Sequence, residues 1–291
     1  MKVGFIGLGI MGYSMASNIL KANYELYVYN RTRSKAESLG KMGANVCLHP
    51  KEVAEKSDVV ISMVTDAPDV EEIVFNRNGI IEGAKEGLIF IDMSTNSPDF
   101  AKSMANRLEK YKIEFLDAPV TGGDKGAREG TLTIMVGGKF QVFKRVEPIF
   151  KAMGRTIIYV GETGLGQALK LCNQVVVALS MVAVTEGLLL SRSFGIDDEK
   201  LFQVLSTGAA NSFTVQYYLP KIIKGDFEPG FKAAYLRKDL KYAVDSATKR
   251  SLPLFGTSLS LDLYNSMVSL KLGDKGTQGL IKVYEKLMKG D

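Results

Sequence analysis

Three glycines, Gly7, Gly9 and Gly12, interrupt the chain after the apolar run Val3-Gly4-Phe5-Ile6 and before a helical spacing through Met15, Ile19 and Leu20. Strand, glycine turn and helix is the setting in which Gly-x-Gly-x-x-Gly binds a dinucleotide. The first glycine makes the tight turn, the second lets the backbone approach a pyrophosphate, and the third lets the helix pack on the strand. The helix N-terminus then offers free N–H groups to the phosphates. Gly7-Leu8-Gly9-Ile10-Met11-Gly12 is accordingly the expected cofactor turn, although a glycine-rich turn can also serve packing alone.

A second group lies far along the chain, in Gly164-Leu165-Gly166-Gln167-Ala168-Leu169-Lys170-Leu171-Cys172-Asn173-Gln174. Lys170 sits between two leucines and precedes the most apolar run. Burial disfavours a charged ammonium and lowers its pKa from about 10.4 toward values useful for proton transfer. Asn173 and Gln174 follow at i+3 and i+4, on roughly the same helical face. A lysine with nearby amides can hold a carbonyl or hydroxyl and exchange its proton; the competing reading is a lysine snorkelling from a helix end. The one histidine, His49, precedes Pro50 in a loop, so acid–base chemistry falls to lysine or a carboxylate. Cys47 and Cys172 form no metal or redox spacing and read as free thiols.

Two further stretches bear on ligand choice. At the end of the second strand, where an NAD-binding fold places an acidic residue, the chain has Asn30-Arg31-Thr32-Arg33. A guanidinium fork and a hydroxyl suit a 2′-phosphate, which favours NADP(H) and leaves NAD(H) open. In Asp117-Ala118-Pro119-Val120-Thr121-Gly122-Gly123, adjacent glycines can turn successive N–H groups toward one point as an anion-binding nest. A purely structural turn fits the same residues.

The elements that must position these groups alternate. Strand patterns recur at Tyr24–Tyr29, Asp58–Val64, Leu88–Asp92, near Phe115, at Thr131–Val136 and at Thr156–Val160, with helical patterns at 34–42, 50–56 and 141–153. That alternation indicates a parallel sheet with crossover helices. Val64-Thr65 and Ser94-Thr95 lie at strand ends, where open α/β sheets bind ligands, and Ser97-Pro98 reads as a helix N-cap followed by proline at the first helical position. The glycine-dense stretch from Gly122 to Gly130 reads as a loop. From Gly164 onward only helical patterns remain, so a Rossmann-type doubly wound domain, 1–163, is expected before an all-helical domain, 164–291.

At 291 residues, 46% hydrophobic and 24% charged, the chain has enough apolar content for substantial cores. The net charge of +5 is scattered rather than clustered, which argues against nucleic acid. No signal peptide precedes the first strand, so a cytoplasmic location is expected. Val175–Leu190 is apolar almost all round yet shorter than a membrane span. A helix buried on every side is expected there, and with it a homodimer or homotetramer, since a small helical domain can rarely surround such a helix.

Together these motifs resemble the β-hydroxyacid dehydrogenase family, which includes 3-hydroxyisobutyrate dehydrogenase and tartronate semialdehyde reductase. The resemblance spans the chain: the glycine turn, Asp117 to Gly123, Gly164-x-Gly166-x-x-x-Lys170 and Lys238-Asp239-Leu240 occur in the family's order. It implies that Thr121, Gly122 and Gly123 hold a substrate carboxylate and that Lys170 is the general acid. It further implies that Thr95 and Lys238 approach the cofactor, and that two domains enclose a cleft. Thr121 stands where serine is usual, keeping the hydroxyl but stiffening χ1. Gln174 stands where many relatives have asparagine, so the amide role passes to Asn173 or Gln174. The implied reaction is NADP(H)-dependent reduction of a short 3-oxo acid such as tartronate semialdehyde. The alternatives are 3-hydroxyisobutyrate dehydrogenase, a related semialdehyde or glyoxylate reductase and, outside the enzymes, a non-catalytic dinucleotide sensor.

Overall fold

A computed structural model describes residues 1–289; residues 290 and 291, the end of the expected second domain, lie outside the described residues. Nine strands form one sheet: β1 (Val3–Ile6), β2 (Leu26–Tyr29), β3 (Asn45–Val46), β4 (Val59–Ser62), β5 (Ile89–Asp92), β6 (Glu114–Asp117), β7 (Val120–Thr121), β8 (Leu132–Gly138) and β9 (Gly154–Gly161). The order β3-β2-β1-β4-β5-β6 is parallel throughout. This is the doubly wound arrangement, and its order reverses beside β1, where such sheets take their ligands. β8 then runs antiparallel to β6 and to β7, and parallel to β9.

The central parallel strands are buried on both faces, which is why their sequences read as unbroken apolar runs rather than alternations. Phe5, Val28, Ile61 and Ile91 pack on one side with Met15 and Ile19 of the first helix, Ile10–Lys21. Ile6, Tyr27, Val60 and Phe90 pack on the other with Val53, Val70 and Met104. Ser97 caps the helix Pro98–Glu109 as expected, its Oγ accepting from Phe100 N at 3.1 Å.

Two helices, Ala67–Phe75 and Ile80–Gly83, add to those expected from the sequence. The stretch expected to be a glycine-dense loop also contains one, Gly123–Glu129, which ends at Gly130 in the left-handed region. Asp124 and Arg128 pair across one turn of it at 2.6 Å, and Ala127 is buried under it.

Packing divides the chain into Met1–Lys170 and Leu171–Asp291, a division seven residues beyond the sequence-derived boundary and inside a continuous helix, Leu165–Ser193. The second unit is helical, with no strand among its described residues. Ala178, Met181 and Leu188 of the long helix pack there on Tyr218, Leu236, Leu240, Tyr264 and Met267. At 29 residues this helix is long and apolar enough by length and composition to cross a membrane, so the length argument drawn from Val175–Leu190 fails. Nor is it buried on every side: 44% of its most apolar window is buried. Cys47 is buried, which pushes its thiol up to about 11, and Cys172 is exposed; both are free.

Candidate active site

The glycine turn has the geometry its spacing requires. Gly7 has φ +96°, and a Cβ there would strike the Met63 carbonyl oxygen. A Cβ on Gly12 would collide with the carbonyl oxygen of Gly7, so the third glycine sets how closely the first helix approaches the strand. Gly9 differs: a Cβ there would meet nothing within 4 Å. The turn is thus closed on the protein side and open beside Gly9, next to helix N–H groups that have no intrahelical acceptor. That open cradle fits a pyrophosphate.

Asn30, just past the end of β2, ties the turn from behind. Its Oδ1 accepts from Leu8 N at 2.8 Å and its Nδ2 donates to the Thr32 carbonyl at 2.9 Å. The amide is therefore engaged with the protein's own backbone at both ends. Arg31 is open, its side chain 82% exposed and 3.9 Å from Asp69. Thr32 occupies the N-cap position of the helix Arg33–Gly40 without a side-chain capping bond, so its hydroxyl is not used there.

Beyond β4 and β5 lies a buried polar network centred on Asp92 and Asp117. Asp92 accepts from Ser62 Oγ at 2.9 Å and Ser94 N at 3.0 Å through Oδ1, and from Asn96 Nδ2 at 2.8 Å through Oδ2. Ser94 Oγ in turn accepts from Val64 N at 3.0 Å, so that residue's amide is occupied within the protein. Asp117 accepts from Gly164 N and Gln167 N, each at 2.8 Å, holding the start of the long helix against the sheet. Gly166 is needed there, because a Cβ would lie 2.6 Å from the Met135 carbonyl oxygen and 2.7 Å from that of Asp117. This is the physical content of the Gly164-x-Gly166 spacing.

Burial pushes both carboxyls above the ordinary carboxylate range, and the converging donors pull them back. A raised folded-state pKa contributes stability below the unfolded value that is lost as pH rises through the folded one. These carboxylates therefore cost stability near neutrality, and their hydrogen bonds offset that cost. One signal was available: each is an acid that closes an apolar run, Ile89-Phe90-Ile91-Asp92 and Phe115-Leu116-Asp117.

Lys170 is buried, 6% exposed, three residues beyond Gln167 on the long helix. Asn173 follows at i+3, and its Oδ1 is buried with no hydrogen-bond partner among the described residues. Gln174 Nε2 instead donates to Asp239 Oδ2 at 2.7 Å within the helical unit. Lys238 Nζ lies 3.2 Å from Asp239 Oδ1 and 5.3 Å from the Tyr242 ring centre. Thr121 ends β7 half-buried, followed by Gly122 at φ +127° and Gly123 at φ +64°. Only glycine adopts such a pair without strain.

The first unit contains the glycine turn, the Thr95 loop, Thr121-Gly122-Gly123 and Lys170, whereas Gln174 and Lys238 belong to a cluster in the second. The NAD binding domain of 6-phosphogluconate dehydrogenase matches residues 2–161, and the NAD-binding region of NADP-dependent 3-hydroxyisobutyrate dehydrogenase matches residues 164–284. The chain is 42% identical to the 2-hydroxy-3-oxopropionate reductase of Escherichia coli (strain K12) over 266 residues, 91% of each chain. It is 39% identical to a probable mitochondrial 3-hydroxyisobutyrate dehydrogenase-like protein of Arabidopsis thaliana over 98% of this chain and 86% of that one. A crystal structure of 3-hydroxyisobutyrate dehydrogenase from Salmonella typhimurium superimposes with a TM-score of 0.91 at 26% identity, over 97% of this chain and 99% of that one.

Proposed function

The chain belongs to the β-hydroxyacid dehydrogenase family of nicotinamide-dependent oxidoreductases, and from that premise we propose that it reduces a short 3-oxo acid of the tartronate semialdehyde type with NADP(H). The observation that carries this reading is a buried lysine, Lys170, followed one helical turn later by a buried amide oxygen, Asn173 Oδ1, that no group among the described residues satisfies. A substrate hydroxyl supplies the missing donor.

The cradle at Gly9 and the first turn of Ile10–Lys21 hold the pyrophosphate, with Ile10 and Met11 shaping its edge, while Leu8 is buried in the core with its N–H held by Asn30. Arg31 and Thr32 face the 2′-phosphate, and Thr95 serves the rest of the dinucleotide. When bound, the reduced nicotinamide supplies a hydride to the substrate's aldehyde carbon. Thr121 Oγ and the N–H groups of Gly122 and Gly123 hold the substrate carboxylate. Lys170 donates its proton to the aldehyde oxygen and, in the reverse direction, takes it from the hydroxyl as a neutral amine.

A panel of 3-hydroxy acids and their aldehydes, run with both cofactors, tests this directly. Arg31→Ala is expected to lower kcat/KM for NADPH by about 10–100-fold, as 1.5–3 kcal/mol for a charged hydrogen bond implies, with little change for NADH. A wild-type preference for NADH overturns the role given to Arg31 and Thr32. The Arabidopsis relative favours 3-hydroxyisobutyrate as the second reading. Small contacts worth roughly 1–3 kcal/mol per methyl separate the two substrates, and the same panel ranks them.

The assembly is read as a homo-oligomer. Val176 (62% exposed), Leu179 (38%) and Leu190 (60%) form a stripe on the long helix. A Cβ on Gly256 would lie 2.8 Å from Leu179 Cδ2, a close approach that sets Phe255 (84%) and Leu259 (57%) beside that stripe. Exposed apolar side chains of this kind on a helix otherwise rooted in the core suit a second copy of the chain. Light scattering should give a multiple of 31.8 kDa, and Val176→Asp should shift it toward 31.8 kDa. A wild-type mass of one chain, or co-sedimentation with lipid vesicles, counts against the homo-oligomer.

A further inference from the structure

We propose that Gln167 is a positioning residue that fixes Lys170 in register with the loop carrying Thr95; the proposal rests on reading Lys170 as the proton donor. Gln167 is fully buried, and both ends of its amide bind that loop. Nε2 donates to the Ser94 carbonyl at 2.8 Å and Oε1 accepts from Asn96 N at 2.9 Å. The two bonded residues flank Thr95, so one side chain grips the backbone on either side of it. Gln167's own N–H is held by Asp117 at 2.8 Å, which stops the helix from rotating away.

Each part of the clamp is anchored separately. Asp92 braces the loop from within through Ser94 N and Asn96 Nδ2, and Asp117 braces the helix start through Gly164 N. Gln167 is the side chain that joins the two. Lys170 stands at i+3 from it, a neighbour on the same helix surface about 5–6 Å away, and a helix transmits displacement along that distance without absorbing it. Moving the helix start relative to the loop therefore moves the proton donor relative to the site where Thr95 is expected to contact the cofactor. A misplacement of about 1 Å in such an arrangement costs roughly 10²-fold in rate.

Gln167→Met, close in length and volume, removes both bonds and leaves the Asp92 and Asp117 anchors in place. In the cofactor-free protein, amide hydrogen exchange at Asn96 should speed up by at least about tenfold, and the acylation rate of Lys170 should change, because the clamp is present without ligand. In the holoenzyme, kcat should fall about 10–100-fold with cofactor Kd within about threefold, the split expected of misplacement rather than lost binding. On a Lys170→Ala background the same substitution should cost less than about twofold, since a residue acting through Lys170 has nothing left to position. If Gln167→Met folds poorly, Gln167→Glu keeps the bond from Asn96 N, loses the one to Ser94, and should give an intermediate loss.

The proposal is overturned if Gln167→Met keeps wild-type turnover, if its loss is matched by weakened cofactor binding, or if it costs the same with and without Lys170. Near-normal turnover in Lys170→Ala overturns the underlying reading instead, and unchanged exchange at Asn96 overturns the clamp whatever Lys170 does.

Discussion

Lys170→Ala is expected to lower kcat by about 10²–10⁴-fold, the range for losing a positioned general acid, while cofactor affinity stays near its wild-type value. The lysine is 6% exposed, so water has little access to replace it as a proton donor to an oxygen that gains charge as hydride arrives. Lys170→Arg should be nearly as inactive. Arginine keeps the positive charge but holds its proton throughout the working range, so it can orient the substrate without completing the transfer. That pair of variants separates electrostatic attraction from proton transfer, and an added small primary amine should restore part of the activity of Lys170→Ala alone. The measurements are steady-state turnover across pH and cofactor titration by fluorescence. Retention of near-normal turnover by Lys170→Ala would sink the assignment.

The parts of this site that could be read from sequence are those where a local backbone demand dictates a residue type. Gly7 and Gly12 are glycines because a neighbouring carbonyl oxygen occupies the place of a Cβ, and Ser97-Pro98 announces a helix start through its cap. The parallel sheet was legible because its strands are uniformly apolar and separated by helical spacings. The clamp was not, because Asp92, Asp117 and Gln167 acquire their roles only when residues up to 73 positions apart meet. Nothing in the types Gln or Asp distinguishes a buried tie from a solvated side chain.

The helix at Gly123–Glu129 is hidden for the opposite reason. Glycine-rich segments have poor helix propensity, and here packing of Gly126 and Ala127 beneath the strand end overrides it. The long helix extends well beyond its apolar run, which marks only the part that packs or faces outward as a stripe. Its first ten residues include Gln167, Lys170, Asn173 and Gln174, polar enough to interrupt the pattern.

Gly9→Ala and Gly12→Ala are expected to fail in different ways, and the contrast tests the cofactor turn more sharply than either alone. At Gly12 a methyl would occupy the position of the Gly7 carbonyl oxygen and crowd Phe5 Cε1 at 3.2 Å, so the first helix must lift off the sheet. Overpacking of that kind costs about 1–3 kcal/mol or more, and the protein should lose several degrees of Tm before any ligand is added. Gly9 has φ −73°, ordinary for any residue, and its Cβ would enter open space. Gly9→Ala should therefore leave the Tm of the cofactor-free protein within about a degree, because alanine there adds no strain and slightly restricts the unfolded chain. Its methyl would instead stand where the pyrophosphate approaches the backbone, displacing the phosphates from the helix N–H groups. Cofactor Kd should rise by about 10²-fold or more, equivalent to two or so charge-assisted hydrogen bonds. Differential scanning of the apo-proteins together with cofactor titration reads both effects. A Gly9→Ala variant that binds cofactor normally would show that the space beside Gly9 is not the pyrophosphate cradle. A Gly12→Ala variant of unchanged Tm would show that the helix is not held by the close approach described.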